Sequence, residues 1–171
     1  MCKPWYALLA CSLLLPLTAH ADDPYVKLGV GWSRFDYDEE VENETGFSIA
    51  YGARYDKVWG LEVGYVDFGR DRNGIFDNNG NPSSLKAQAI YMAGTGSYDM
   101  NPQASLYGKL GLAVKRYSVG GDSQTYTRLM GGVGAQWRLN KEWSAALEYA
   151  WFGKADGLTL SQTTLAAVYH F

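Results

Sequence analysis

The chain has 171 residues, with 15 basic against 18 acidic side chains for a net charge of −3, and 47% of it is hydrophobic. That mildly acidic balance gives no footing for nucleic acid, and no stretch approaches the ~18 apolar residues of a membrane helix. The only cysteines are Cys2 and Cys11; both fall in a leader-like N-terminus, which leaves no disulfide scaffold, thiolate metal site or cysteine nucleophile beyond it.

At the N-terminus, Lys3 precedes an apolar run from Ala7 to Leu15, and Ala19-His20-Ala21 places small residues at the −3 and −1 positions of a cleavage site. The expectation is a cleaved secretory leader over 1–21 and a single domain over 22–171. Leu8-Leu9-Ala10-Cys11 loosely resembles a lipoprotein box, but the apolar run continues past Cys11 to Leu17, which favours cleavage after Ala21.

The remainder reads as strands of period two, rich in Tyr, Trp, Val and Gly and punctuated by turn residues. Candidate strands are 24–36, 46–56, 58–69, 84–98, 104–118, 123–139, 142–153 and 158–171. Three connections are tight and polar: Asp56-Lys57, Asp99-Met100-Asn101-Pro102 and Asn140-Lys141. The others are mostly longer, as in the acidic Asp38 to Glu44 and the Asn/Gly-rich Arg70 to Ser83. An even strand count with alternating short and long connections is the pattern of a transmembrane barrel, with the short turns and both termini on the periplasmic side. Closure is required, because an open sheet edge in lipid would leave backbone groups unpaired.

One alternating set is almost free of charge: Val26, Leu28, Val30, Trp32; Phe47, Ile49, Tyr51; Leu61, Val63, Tyr65; Leu85, Ala87, Ala89, Tyr91, Ala93; Leu106, Leu110, Leu112, Val114; Leu129, Val133, Trp137; Trp143, Leu147, Tyr149, Trp151; and Leu165, Ala167, Tyr169, Phe171. Only Arg34 and Arg116 interrupt it, at loop margins. A lipid face requires this, since Lys or Arg at mid-depth costs about 2–4 kcal/mol. Its tryptophans gather at two levels, Trp59, Trp137 and Trp143 by the short turns and Trp32 and Trp151 towards the long loops, as aromatic girdles do. The opposite set is small and polar (Gly29, Gly31, Ser48, Gly52, Gly64, Gly111, Gly132, Gly134, Thr164), which suits a narrow bore filled by side chains. The fold expected is therefore all-β: an eight-stranded antiparallel up-and-down transmembrane β-barrel with a filled polar lumen.

The segments Gly60-Leu61-Glu62-Val63-Gly64-Tyr65, Leu106-Tyr107-Gly108-Lys109-Leu110-Gly111 and Leu147-Glu148-Tyr149-Ala150-Trp151 resemble the OmpA-like barrel family, each on the matching third, fifth or seventh strand. Leu165, Tyr169 and Phe171 end the chain in a run similar to the C-terminal signal that such proteins present to the outer-membrane insertion machinery. The resemblance implies a Gram-negative outer membrane, contact with its lipid and lipopolysaccharide, and delivery by periplasmic chaperones. Family members often carry a peptidoglycan-binding domain after the barrel; this chain stops at the last strand, so none is expected here.

By parity, the bases Lys27, Arg54, Lys86, Lys109, Lys115 and Arg128 and the acids Glu62 and Glu148 point inward. Unpaired charges in a confined bore are costly, so each acid should have a cationic partner. Lys109 or Arg128 is expected beside Glu148, and Arg54 or Lys109 beside Glu62. The resemblance implies that such acids join salt bridges that plug the lumen, although Ala146 is small where a relative can place an arginine. A plug is the leading reading of this cluster, and a narrow, anion-leaning conduit the second.

Catalysis ranks third. Some eight-stranded outer-membrane barrels modify lipid A with a His paired to Ser or an acid, but His170 is the only histidine after the leader and no His-x-Ser motif occurs. It reads as a lumen-facing spacer between Tyr169 and Phe171. In the external loops, the run Asp36, Asp38, Glu39, Glu40, Glu42, Glu44 reads as a solvated face rather than a divalent-cation bridge. Arg70 and Arg72 are placed to meet lipid A phosphates. Asp77-Asn78-Asn79-Gly80 lacks calcium-loop spacing and reads as turns. No metal or cofactor is expected. The function expected is a structural or surface-interaction role through external loops, with an extracellular ligand or host surface as the partner, ahead of a porin-like channel and a lipid A-modifying enzyme.

Overall fold

The computed structural model describes residues 23–36, 41–76, 82–119, 122–155 and 158–171. They form eight strands: β1 (Asp23–Asp36), β2 (Val41–Arg54), β3 (Trp59–Phe76), β4 (Pro82–Asp99), β5 (Ala104–Val119), β6 (Asp122–Arg138), β7 (Trp143–Ala155) and β8 (Leu158–His170). Each pairs antiparallel with its neighbour, and β8 returns to β1 from Tyr25↔His170 to Asp36↔Thr159. The sheet is a closed barrel. Closure leaves no edge and satisfies the backbone within the sheet, as lipid demands.

The three short connections share one chemistry. Asp56 Oδ1 accepts hydrogen bonds from the amides of Val58 and Trp59. Asn101 Oδ1 does the same for Gln103 and Ala104, and Asn140 Oδ1 for Glu142 and Trp143. Each is an Asx turn, in which a short polar side chain stands in for a backbone acceptor and reverses the chain tightly.

On the opposite rim the strands run further than their hydrophobic pattern. β2 already begins at Val41, and β3 continues to Phe76, so Glu42, Glu44, Arg70 and Arg72 lie on strands rather than in loops. Backbone pairing persists past the end of the lipid-facing pattern, here as Phe35↔Glu42 and Asp36↔Val41. Asp38, Glu39 and Glu40 lie outside the described residues, as does the 77–81 segment.

The faces follow the expected alternation on seven strands, and β4 is inverted. Ala87, Ala89, Tyr91 and Ala93 are buried in the lumen, whereas Ile90 and Met92 are 60% and 57% exposed on the outside. Both faces of β4 carry apolar residues, so periodicity could not separate them. Cross-strand register does: Met92 lies between Val63 and Leu112, and Ile90 between Tyr65 and Val114, all lipid-facing.

Two glycine bulges break the register near the outer rim. Gly69 (φ 88°) falls between the pairs Asp67↔Gln88 and Arg70↔Lys86. Gly153 (φ 64°) falls between Trp151↔Ser161 and Lys154↔Thr159. Positive φ favours glycine, and the extra residue reverses which face the next side chain takes.

Candidate functional site

The lumen holds a ring of four charges, one from each odd-numbered strand. Lys27 on β1 and Lys109 on β5 alternate with Glu62 on β3 and Glu148 on β7. Lys27 Nζ lies 2.8 Å from Glu62 Oε2 and 2.7 Å from Glu148 Oε2. Lys109 Nζ lies 3.0 Å from Glu62 Oε1 and 2.6 Å from Glu148 Oε1. None of the four side chains is more than 8% exposed. Small partners on the adjoining even strands make room for them: Lys27 pairs with Ala50, Glu62 with Ala93 and Lys109 with Gly132.

Three tyrosines complete the ring. Tyr25 donates to Glu62 Oε2 at 2.9 Å, Tyr91 to Glu62 Oε1 at 2.7 Å, and Tyr107 to Glu148 Oε2 at 2.9 Å. Each tyrosine lies over a glycine on its register partner, in the pairs Tyr25↔Gly52, Gly64↔Tyr91 and Tyr107↔Gly134. A Cβ on Gly64 would come within 2.6 Å of the Tyr91 ring, and one on Gly134 within 2.5 Å of that of Tyr107. Every carboxylate oxygen of the ring thus has a partner, and the charges sum to zero. That is the condition under which buried ions are tolerable.

Above the ring, towards the outer rim, the lumen turns apolar. Phe35, Phe68, Met130, Phe152 and Leu160 are all essentially inaccessible. The Phe68 and Phe152 rings, from opposite sides of the barrel, meet edge to face at 4.9 Å. Lys115 is fully buried here and donates to the Gly153 carbonyl at 2.7 Å. This layer adds an apolar storey to the filled polar lumen that the alternation predicts. Its signal was readable: Phe68-Gly69-Arg70 and Phe152-Gly153-Lys154 repeat the order aromatic, glycine, base on β3 and β7.

At the periplasmic mouth, His170 Nδ1 sits 3.0 Å from Asp23 Oδ1, and its Nε2 lies 3.1 Å from both Ser144 Oγ and Gln136 Nε2. The spacer expected at His170 is therefore a junction of β1, β6, β7 and β8. It has the order of an acid-histidine-serine array, but Ser144 is 1% exposed. The cavity bordered by His170, Gln136 and Arg54 measures about 20 Å³, roughly the space of one water.

Of the predicted lumen network, Glu62, Glu148 and Lys109 come together, with Lys27 as the partner whose part in the pairing was not foreseen. Arg54 stands instead at the mouth, 3.6 Å from Asp99 Oδ2 and bonded to the Lys57 carbonyl. Arg128 sits at the outer end, where its Nε donates to the Lys154 carbonyl and its ring partner is Tyr126. Lys86 is corrected outright: the inversion of β4 puts it on the outside, 3.5 Å from Asp67 Oδ2. Trp32, Trp59, Trp137, Trp143 and Trp151 all project outward. So do Leu165 and Phe171, and Tyr169 stacks between Trp143 and Phe171 at 5.0 and 5.1 Å. Among the described residues, no group of acids, histidines and cysteines could hold a metal.

The family model described as "Outer membrane protein beta-barrel domain" matches residues 7–171. No curated protein matches the sequence. Among solved structures, the chain is similar to Ail, the attachment invasion locus protein of Yersinia pestis, in complex with the heparin analogue sucrose octasulfate. The two are 20% identical with a TM-score of 0.65, over 87% of this chain and 98% of that one. It is likewise similar to Neisserial surface protein A, at 18% identity and TM-score 0.65 over 86% and 97%. OprG of Pseudomonas aeruginosa follows at 12% identity and TM-score 0.61 over 89% and 97%. These likenesses speak to the fold, and the family match carries the assignment: the chain belongs to the outer membrane protein β-barrel domain family, and its place is the outer membrane of a Gram-negative bacterium.

Proposed function

We propose that the protein is a closed, non-conducting barrel that serves envelope structure and surface interaction rather than transport or catalysis. The observation that supports this best is the ring of Lys27, Glu62, Lys109 and Glu148. A solute passing through would have to separate several desolvated ion pairs at once, and then cross the apolar layer of Phe35, Phe68 and Phe152. With the bore filled, what remains for function is the outer surface and the external rim. A surface role also fits two of the similar structures, an attachment invasion protein in complex with a heparin analogue and a surface protein. An extracellular or host-surface ligand is accordingly the partner class proposed.

A narrow channel is the second reading, favoured by the charged character of the ring, since ionic gates can rearrange. Planar-bilayer recording of the refolded protein separates the two. A closed barrel should give a baseline indistinguishable from protein-free membranes, and sustained unitary currents would overturn the proposal. The His170 junction belongs to barrel closure in this reading, because Ser144 is buried and presents no surface to an acyl chain. An unchanged lipid A mass profile in cells lacking the protein is expected, and loss or gain of an acyl chain would reverse the assignment.

We further propose that residues 1–21 are a cleaved leader, and that Leu165, Tyr169 and Phe171 are read by the insertion machinery after chaperoned passage across the periplasm. Mass spectrometry of the membrane-extracted protein should find Asp22 at the N-terminus; a lipidated Cys11 would refute the leader assignment.

A further inference from the structure

The periplasmic mouth carries a polar recess that the ionic ring does not account for. Between the end of β2, the β4–β5 turn and the end of β6 lies a cavity of about 270 Å³, whose wall includes Arg54, Asp99, Gln103, Ser105, Gln136 and Arg138. Only Pro102 and Ala104 in that wall are apolar. A recess of this size and polarity suits a small hydrophilic solute and not an acyl chain. It shares Arg54, Ser105 and Gln136 with the small cavity beneath the ring, which reaches Lys27, Glu62 and Tyr107. The recess is therefore the entrance of a vestibule that opens to the periplasm and has the ion ring as its floor.

Its walls are fixed in advance. Asn101 closes the β4–β5 turn by accepting from the Gln103 and Ala104 amides. The Arg138 amide donates to the Gln103 carbonyl at 2.7 Å, which ties that turn to the end of β6. On β2, Arg54 pairs with Gly60, and the missing side chain there lets the guanidinium reach across β3 towards Asp99 on β4. The Arg54 side chain is only 17% exposed, yet its one carboxylate lies 3.6 Å away and is itself 54% exposed. Its one hydrogen bond goes to the Lys57 carbonyl. A guanidinium carries several N–H donors, so most of those on Arg54 have no acceptor among the described residues. Arg138 has no carboxylate partner among them. Two guanidinium groups thus face one distant carboxylate, and a cation so far withdrawn from water calls for a counter-charge.

We infer that this vestibule binds a small periplasmic carboxylate, with Arg54 and Arg138 holding its charge and Gln103, Ser105 and Gln136 its remaining polar atoms. Guanidinium forks present paired donors that match carboxylate oxygens. Giving up the long contact to Asp99 leaves that acid in water at the rim. The free end of a peptide presents the same group, and the experiment tells the two sources apart. Conduction through the ring would overturn the closed barrel and leave this site standing, whereas a failure to bind would leave the closed barrel untouched.

The test titrates the folded protein in phosphatidylcholine nanodiscs with malate, neutral malamide, sulfate, and trialanine bearing a free or an amidated C-terminus. The readout is the set of backbone amide resonances. Malate should give saturable shifts confined to the vestibule, at Gln103, Ser105, Gln136 and Arg138, and malamide should give none. Arg54→Gln and Arg138→Gln should each weaken binding roughly tenfold, as loss of a charged hydrogen bond implies. Lys141→Gln, on the β6–β7 turn, should leave it unchanged. Should Arg54→Gln lower the yield of folded barrel, Arg138→Gln, exposed at the end of β6, decides alone. Tighter binding of trialanine, abolished by amidation, would support the site with a chain end as its occupant. Equal binding of sulfate or malamide, shifts spread over all the basic turns, or undiminished binding in the folded variants would overturn it.

Discussion

Lys27 touches both acids of the lumen, 2.8 Å from Glu62 and 2.7 Å from Glu148, so one side chain on the first strand closes a ring drawn from four alternate strands. Its removal would leave two buried carboxylates sharing Lys109 alone. Breaking a buried pair in this way costs about 3–5 kcal/mol, whereas replacing both partners by matched neutral groups costs far less. Lys27→Ala should therefore lower the urea midpoint of unfolding from vesicles sharply. Lys27→Met with Glu148→Gln, which leaves Lys109 and Glu62 balanced, should recover most of the loss. A double-mutant cycle with no coupling would show that the ring is not a unit.

The apolar layer above the ring predicts a second, non-additive behaviour. The Phe68 and Phe152 rings meet at 4.9 Å across the bore. Phe68→Ala should destabilise the barrel by about 3–5 kcal/mol through lost burial and the cavity left behind. Because the ionic ring below stays shut, this variant should remain non-conducting, as should Lys27→Ala behind an intact outer layer. Only the combined variant should pass current in planar bilayers. Conductance from either single variant would mean that one layer alone forms the seal.

Much of this architecture can be read from the chain, and the exceptions have physical causes. Strand number, closure, turn positions and the lipid face follow from alternation, because lipid penalises any lapse in it. β4 misleads since Ala87, Ala89 and Tyr91 look as lipid-compatible as Ile90 and Met92; only its register against Val63 and Leu112 decides. The pairing of Lys27 was hidden because parity gives the face of a side chain but not its height in a sheared barrel. Arg70 shows a further limit. The fading pattern ends the predicted strand at 69 and leaves Arg70 in a loop, whereas the bulge at Gly69 carries β3 on and turns Arg70 outward.

The three ring tyrosines predict a packing effect at uncharged positions that border the ring, since Gly64 pairs with Tyr91 and Gly134 with Tyr107. A Cβ on Gly64 would stand 2.6 Å from Tyr91 and one on Gly134 2.5 Å from Tyr107, where little space exists to yield. Gly64→Ala should force Tyr91 away from Glu62 and cost about 1–3 kcal/mol by overpacking. Pairing it with Tyr91→Phe should not restore stability, because the ring atoms and not only the hydroxyl are in the way. Pairing it with Tyr91→Ala should relieve the clash while leaving Glu62 short of one donor. Urea titration of the three variants would order them, and a neutral Gly64→Ala would show that the tyrosine has room to move.

The periplasmic turns supply a pH-dependent prediction outside the membrane. The amides of Trp59 and Val58 donate to the Asp56 carboxylate and hold its pKa below the ordinary value for aspartate. A pKa depressed in the folded state means stabilisation that is fully present above the unfolded-state pKa and is lost as pH falls through the folded value. Asn101 and Asn140 make the same two bonds without a titrating group. Acidification should therefore loosen the β2–β3 turn and spare the other two. Hydrogen exchange measured in vesicles should show Val58 and Trp59 losing protection in strong acid relative to Gln103, Ala104, Glu142 and Trp143, after correction for intrinsic rates. Asp56→Asn should abolish the difference, and equal acid sensitivity of all three turns would refute the role of the carboxylate.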